Sequence, residues 1–232
     1  MKAVAAAVAV AVLAAGAQGA PTSTCSSPGK KIVGTRGNDI LKGTPRADTI
    51  CGLSGNDQLV ALGGNDRVLG GPGDDRIAAG PGDDHIEGGP GTDLLGYRRS
   101  AGAVRVDLAR GASSGSDGSD HIRSVEDIAG SAYEDVLIGD RFANRLAGRN
   151  GDDDMRGGLG NDVLDAGDGN DLVAGGAGND EILGGAGTDV FDFRGLRSPL
   201  VLTLGADDKV TVEGTDLYSR VEVFSVHRSR IV

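Results

Sequence analysis

Residues Gly157–Asp192 read, in units of nine, GGLGNDVLD, AGDGNDLVA, GGAGNDEIL and GGAGTDVFD. The fourth position is always Gly, the sixth Asp and the eighth apolar. A fixed short period of this kind marks a solenoid. Positions one to six hold mostly Gly, Asn, Asp and small residues, which turn tightly and accept positive φ at little steric cost. Positions seven to nine set one apolar residue between two outward ones, the pattern of a very short half-buried strand. Three strand residues bury too little apolar surface to offset chain entropy, so the unit is stable only when stacked. Two nonamers close one flattened coil, and successive coils build two parallel sheets with strands about 4.8 Å apart.

Outward from that stretch the same frame recurs. Gly34–Gly96 divides into GTRGNDILK, GTPRADTIC, GLSGNDQLV, ALGGNDRVL, GGPGDDRIA, AGPGDDHIE and GGPGTDLLG. From Gly130 the nines GSAYEDVLI, GDRFANRLA and GRNGDDDMR lead into the quoted run. The poorest turns open the second block, with Tyr133 and Phe142 at position four and Asn144 in place of Asp. Residues 97–129 break the pattern: Val104, Val106 and Leu108 alternate as a strand, and a second strand is expected around Ile122–Ile128. A shift of 96 residues lays the first half on the second without a gap, Gly34 on Gly130, Tyr97 on Phe193 and Asp120 on Asp216. The reading is therefore an all-β parallel β-roll in two tandem blocks, each followed by a strand pair. Its parts are a signal peptide (1–19), a linker with Cys25 (20–33), a first roll (34–96), an interstitial β segment (97–129), a second roll (130–192) and a C-terminal β cap (193–232).

Stacked turns bring one Asp per coil to each edge, about 5 Å from the next, where like charges repel. Hard divalent cations relieve this, because Ca²⁺ takes six to eight oxygen ligands and Gly-rich turns expose carbonyls. The nonamer GGxGxDxUx resembles the RTX, or haemolysin-type calcium-binding, repeat of parallel β-rolls. The 97–129 segment is similar to those that separate repeat blocks in that family. The resemblance implies an ion between two turns on the same edge, hence Asp39 with Asp57, Asp57 with Asp75, Asp75 with Asp93, Asp66 with Asp84, Asp153 with Asp171, Asp171 with Asp189 and Asp162 with Asp180, about seven sites. Asp48 with Asp66, Asp135 with Asp153, and Asn144 with Asp162 each contain one turn that departs from the motif. The resemblance also implies carbonyl ligands from turn glycines such as Gly71, Gly73, Gly80, Gly82, Gly167, Gly169, Gly176 and Gly178.

Composition agrees with a thin core: 41 of 232 residues are Gly, with four Phe, three Tyr and no Trp. A formal charge of −11 disfavours nucleic acid and anionic membranes and favours cations. The opening MKAVAAAVAVAVLAAGAQGA reads as a secretory signal cleaved after Ala17 or Gly19, so secretion without membrane insertion is expected. Cys25 and Cys51 are either a disulfide pair, as export favours, or two free thiols. Gly111–Gly115 matches the G-x-S-x-G elbow but lies in a β region without the helix that motif needs. No HExxH occurs, His85, His121 and His227 are isolated in the sequence, and no enzyme is expected. Function reads as a secreted calcium-dependent β-roll. The alternative is an adhesion or interaction module that uses the roll as a scaffold toward a cell-envelope or matrix partner.

Overall fold

The computed structural model describes Cys25, residues 30–192, and the backbones of 200–204 and 221–226. The signal-peptide expectation for 1–19 and most of the expected cap at 193–232 lie outside the described residues. Two sheets make up the fold. Sheet 1 runs, in spatial order, Lys30–Val33, Asp48–Cys51, Arg67–Leu69, His85–Glu87, His121–Arg123, Ala112–Gly115, Val104–Asp107, Val136–Ile138, Asp154–Leu159, Leu172–Ala177 and Val190–Phe191. Sheet 2 runs Ile40–Lys42, Gln58–Val60, Arg76–Ala78, Leu94–Gly96, Asp127–Ala129, Arg145–Asn150, Val163–Asp168, Glu181–Ala186, Leu200–Leu204 and Val221–Val226. Every pairing is parallel except those of Ala112–Gly115, which is antiparallel to both neighbours. Among the described residues no helix is long and apolar enough to cross a membrane.

The register explains the core. Within a sheet each strand residue pairs with its equivalent one coil later, as in Ile50↔Val68 and Leu59↔Ile77. Position-eight side chains therefore stack on themselves. Ile50, Leu59, Val68, Ile86, Leu95, Leu137, Leu146, Met155, Leu164, Val173, Ile182 and Phe191 are all fully buried in one column of apolar contacts. Position-eight residues of the nonamers supply most of this core, and Tyr97, Val104, Val106, Ile122, Val125 and Ile128 of the 97–129 segment carry it on, so few aromatics suffice. Ile32, at the end of the sequence-defined linker, pairs with Ile50 and extends this column, so Lys30–Val33 is the first strand of the roll.

Residues 97–129 do not separate two rolls. Sheet 2 passes through them unbroken, since Ile128 pairs with Leu95 on one side and Leu146 on the other. Sheet 1 takes three strands there: His121–Arg123 continues from His85–Glu87, and the hairpin Val104–Asp107/Ala112–Gly115 leads to Val136–Ile138. The second strand expected around Ile122–Ile128 is in fact two, His121–Arg123 in one sheet and Asp127–Ala129 in the other. The residues 115–123, GSDGSDHIR, form a ninefold unit in the frame of the first block, with Gly118 at position four, Asp120 at six and Ile122 at eight. Ser at position two and the isolation of the unit hide it in the sequence.

Candidate metal centre

The turns lie along two edges, and their position-six acids form ladders. The N–H of one Asp donates to Oδ1 of the Asp one coil later: Asp39 to Asp57, Asp57 to Asp75 and Asp75 to Asp93 on one edge, each at 2.8 Å. On the other edge Asp48 donates to Asp66 and Asp66 to Asp84, each at 2.7 Å. The second block repeats the ladder, with Asp153 to Asp171, Asp162 to Asp180 and Asp171 to Asp189. The sequence-predicted acids are thus brought into line as expected. Oδ1 is occupied by the ladder, whereas Oδ2 of Asp57, Asp66, Asp75, Asp84, Asp93, Asp153, Asp162, Asp171 and Asp180 is buried without a hydrogen-bond partner.

A buried carboxylate oxygen without a partner costs free energy comparable to its lost solvation, so each of these atoms calls for a ligand. Its surroundings indicate which. A Cβ placed on Gly70 would lie 2.5 Å from the Gly88 carbonyl and closer still to Asp75 Oδ2, so oxygens of two successive coils converge over this glycine. The same holds at Gly52, with Asp57 Oδ2 and the Gly70 carbonyl. Positions two and four, in left-handed conformations such as Gly71 (φ 107°) and Gly73 (φ 140°), let each turn rest on the carbonyls of the turn before it. An oxygen-only donor set with negative charge fits a hard divalent cation of the calcium class. Among the described residues no three His, Cys, Asp or Glu side chains converge, so carbonyls must supply much of any shell.

Four turns are built differently. Thr35 donates to Asp39 Oδ2 from its N–H at 2.6 Å and from Oγ1 at 3.0 Å. Thr44 does the same to Asp48 Oδ2 at 2.5 and 2.8 Å. Ser131 donates to both oxygens of Asp135, and its own Oγ accepts from the Tyr133 N–H. The N–H of Asp140 donates to Asn144 Oδ1. None of these four turns has a positive-φ residue at position two or four. The Asp39–Asp57 slot, an expected site on sequence, is therefore filled by protein donors, as is the slot of Asp135. The difference lies at position two, where Thr, Thr, Ser and Asp stand in place of Gly, Leu or Arg.

Burial raises the carboxyls of the open turns, and neighbouring carboxylates add to the rise, while the ladder hydrogen bonds pull against it. Asp66, Asp75 and Asp162 are pushed up to about 6, Asp84 and Asp93 to about 7, and Asp153 to about 8. These are metal-free values, in which protonation rather than a cation relieves the charge.

Two acids of the 97–129 segment join the ladders. Asp84 N–H donates to Asp120 Oδ1 at 3.1 Å, and the other Asp120 oxygen accepts from Tyr97 Oη at 3.0 Å and Ser113 Oγ at 2.6 Å. Asp93 N–H donates to Glu126 Oε2 at 2.9 Å. The alignment of Asp120 with Asp216 was visible in the sequence, yet its place in an edge ladder was not. Ser113, the serine of the Gly111–Gly115 match, lies in a strand and is engaged with Asp120. His85 and His121, isolated in the sequence, pair across strands with ring centroids 5.1 Å apart. Cys25 and Cys51 are joined by a disulfide that ties the segment before the roll to sheet 1.

A search of protein families finds the RTX calcium-binding nonapeptide repeat at residues 33–68, 60–95, 129–164 and 165–195. No curated protein matches the chain. Among solved structures, the extracellular lipase LipA from Serratia marcescens is similar at 17% identity and a TM-score of 0.30, over 86% of this chain and 41% of the lipase chain. The chain thus spans less than half of that protein, and a likeness of this size says nothing about activity. The four family matches fall on the blocks whose acid ladders are described above and take in more than half of the sequence. The chain belongs to the RTX calcium-binding nonapeptide-repeat family.

Proposed function

We propose that this protein is a secreted β-roll whose folding is coupled to Ca²⁺, and that the ions enter the open turns. The observation that carries this reading is the row of buried, unpartnered Asp Oδ2 atoms on each edge. The open slots bounded by an acid on both sides within the repeats are Asp57–Asp75, Asp75–Asp93, Asp66–Asp84, Asp153–Asp171, Asp171–Asp189 and Asp162–Asp180. Carbonyls of the adjoining turns, Gly70 and Gly88 among them, complete the shells. The bound ion supplies positive charge where the ladders concentrate negative charge. Extracellular modules bind calcium with dissociation constants of about 10⁻⁴–10⁻³ M. At ten times that concentration each site adds about 1.4 kcal/mol, so six together add about 8 kcal/mol, enough to decide whether a domain folds.

Secretion rests on the sequence: Lys2 followed by an apolar Ala/Val run and small residues is the pattern of an export signal. In the calcium-poor cytosol such a chain stays unfolded, and outside the cell the ion pulls it into the roll. Circular dichroism of the mature chain during calcium titration tests the coupling. The strand signal should be weak in chelator and rise cooperatively with calcium; a full signal in chelator that calcium leaves unchanged removes the proposal.

A further inference from the structure

We infer that the junction of the two blocks holds a divalent-cation site made by Asp93, Ser124 and Glu126, outside the nonapeptide motif. The inference rests on the calcium reading of the motif slots. Asp93 is fully buried, and its Oδ2 has no partner. In the motif slots that oxygen faces the position-one carbonyl of the next coil, and that carbonyl also accepts the N–H of position two, as Gly88 O does from Gly71 at 2.8 Å. At the junction the next coil starts at Ser124. A Cβ on Gly88 would lie 2.5 Å from Asp93 Oδ2 and would also collide with the Ser124 carbonyl. That carbonyl accepts the N–H of Gly89 at 3.2 Å. The arrangement of a motif slot is thus rebuilt with a serine carbonyl in the glycine's place.

The acid is rebuilt as well. From Ser124 the chain reaches Asp127–Ala129 of sheet 2 after only Val125 and Glu126, a turn shorter than the six residues of a motif turn. Ser124 makes this possible by adopting a left-handed conformation (φ 48°), uncommon for a residue other than Gly. Glu126 then takes the ladder position of Asp, accepting from the Asp93 N–H. Its extra methylene compensates for the shorter turn. The donors are again oxygens with negative charge, so the site takes the same class of ion. Beyond it, Asn144 Nδ2 donates to the Glu126 carbonyl at 2.8 Å, and the Asn144 N–H donates to Asp162 Oδ1. An ion at Asp93–Glu126 therefore ties the calcium column of the first block to the ladder of the second.

Calcium stoichiometry of the full mature chain, by isothermal titration calorimetry, tests the site. Glu126→Gln keeps an acceptor for the Asp93 N–H but removes the charge, and Glu126→Asp keeps the charge but withdraws it. Each should bind one ion fewer than the wild type and should split the calcium-stabilised thermal transition into two. Wild-type stoichiometry in both, while Asp75→Asn loses ions, overturns the junction site and leaves the motif slots standing. Wild-type stoichiometry in all three overturns both readings. If the Glu126 variants do not fold, a crystal structure of the wild-type chain grown in calcium decides: an ion held by Asp93, Ser124 and Glu126 supports the site, and filled motif slots beside an empty junction overturn it.

Discussion

The turns of residues 34–51 and 130–147 and those of 52–96 and 148–192 share one repeat but close in two ways. Both keep an acid or amide at position six, the N–H ladder along the edge and the apolar residue at position eight. They differ at position two. Thr35, Thr44, Ser131 and Asp140 turn back onto the position-six side chain. Leu53, Leu62, Arg149 and the glycines at that position are left-handed and leave Oδ2 alone. A motif acid alone does not leave its Oδ2 open, because the residue four positions before it decides whether a protein donor reaches the carboxylate. In each block the closed turns come first. The roll thus begins twice with coils whose position-six side chains accept from their own turn, and in the coils that follow the proposed function puts an ion in that place. In a solenoid, stability is passed between neighbours, so on that proposal such a start gives the later coils a template.

The largest expected effect comes from removing calcium. In chelator, hydrogen exchange should show protection lost throughout 52–96 and 148–192, with 34–51 and 130–147 losing the least. Carboxylates about 5 Å apart at an effective dielectric of about 20 repel by about 3 kcal/mol per pair, which the closed turns offset with donors and the open ones cannot. Uniform loss across all four stretches would break the comparison. Within the open set, Asp75→Asn touches the slots of both Asp57 and Asp93 and should cost two ions by calorimetry. Asp74→Ala, at the solvent-exposed position five, should cost none.

Acidity should test the burial of the open turns next. In the open turns the folded metal-free carboxyls lie above the ordinary value of 3.8, at about 6 for Asp66 and Asp75 and about 7 for Asp84 and Asp93. The folded state then binds more protons than the unfolded one, so metal-free stability is greatest near pH 4 and falls as pH rises toward about 8, where Asp153 is the last to lose its proton. Calcium must displace those protons, so its apparent affinity rises over the same window. Thermal melts in chelator from pH 4 to 8 check the first statement, and titrations in calcium at the same pH values check the second. A melting temperature in chelator that climbs from pH 4 to 7 contradicts the burial argument.

Much of this was legible because the period does the work. Position eight, read as inward at Leu59 or Val173, is inward, and position six, read as the edge acid at Asp75 or Asp171, is at the edge. Both follow from a stacking register that lays each residue on its own equivalent. What was hidden depends on local chemistry that a period does not carry. Thr35 and Thr44 look like tolerated substitutions of Gly until their hydroxyls are seen on Asp39 and Asp48. Glu126 is three residues early for the frame of the first block although it falls at position six of the frame of the second, and only the left-handed turn at Ser124 shows how the chain changes frame there. The 97–129 segment read as a spacer because its hairpin interrupts the period, although Ile122 and Ile128 keep the column of the core unbroken.

The smallest effects are expected at position two, where the comparison can be sharpened most. Ser131 is fully buried, and its hydroxyl links Asp135 to the Tyr133 N–H. Ser131→Ala should cost about 1–2 kcal/mol in urea melts in calcium and leave the ion count unchanged, since no ion is involved. Thr35→Gly should do something different in kind. It removes the hydroxyl that donates to Asp39 Oδ2 and permits the left-handed conformation seen at Gly71, which would carry the N–H away from that oxygen. The loss at the lowest calcium that still folds the chain should be about 1 kcal/mol, because this first turn is half exposed and solvent already shares the load. In calcium the variant should recover, and calorimetry should count one ion more than in the wild type, at the Asp39–Asp57 slot. An unchanged count, with the low-calcium loss present, would mean that position two closes the turn without deciding where calcium goes.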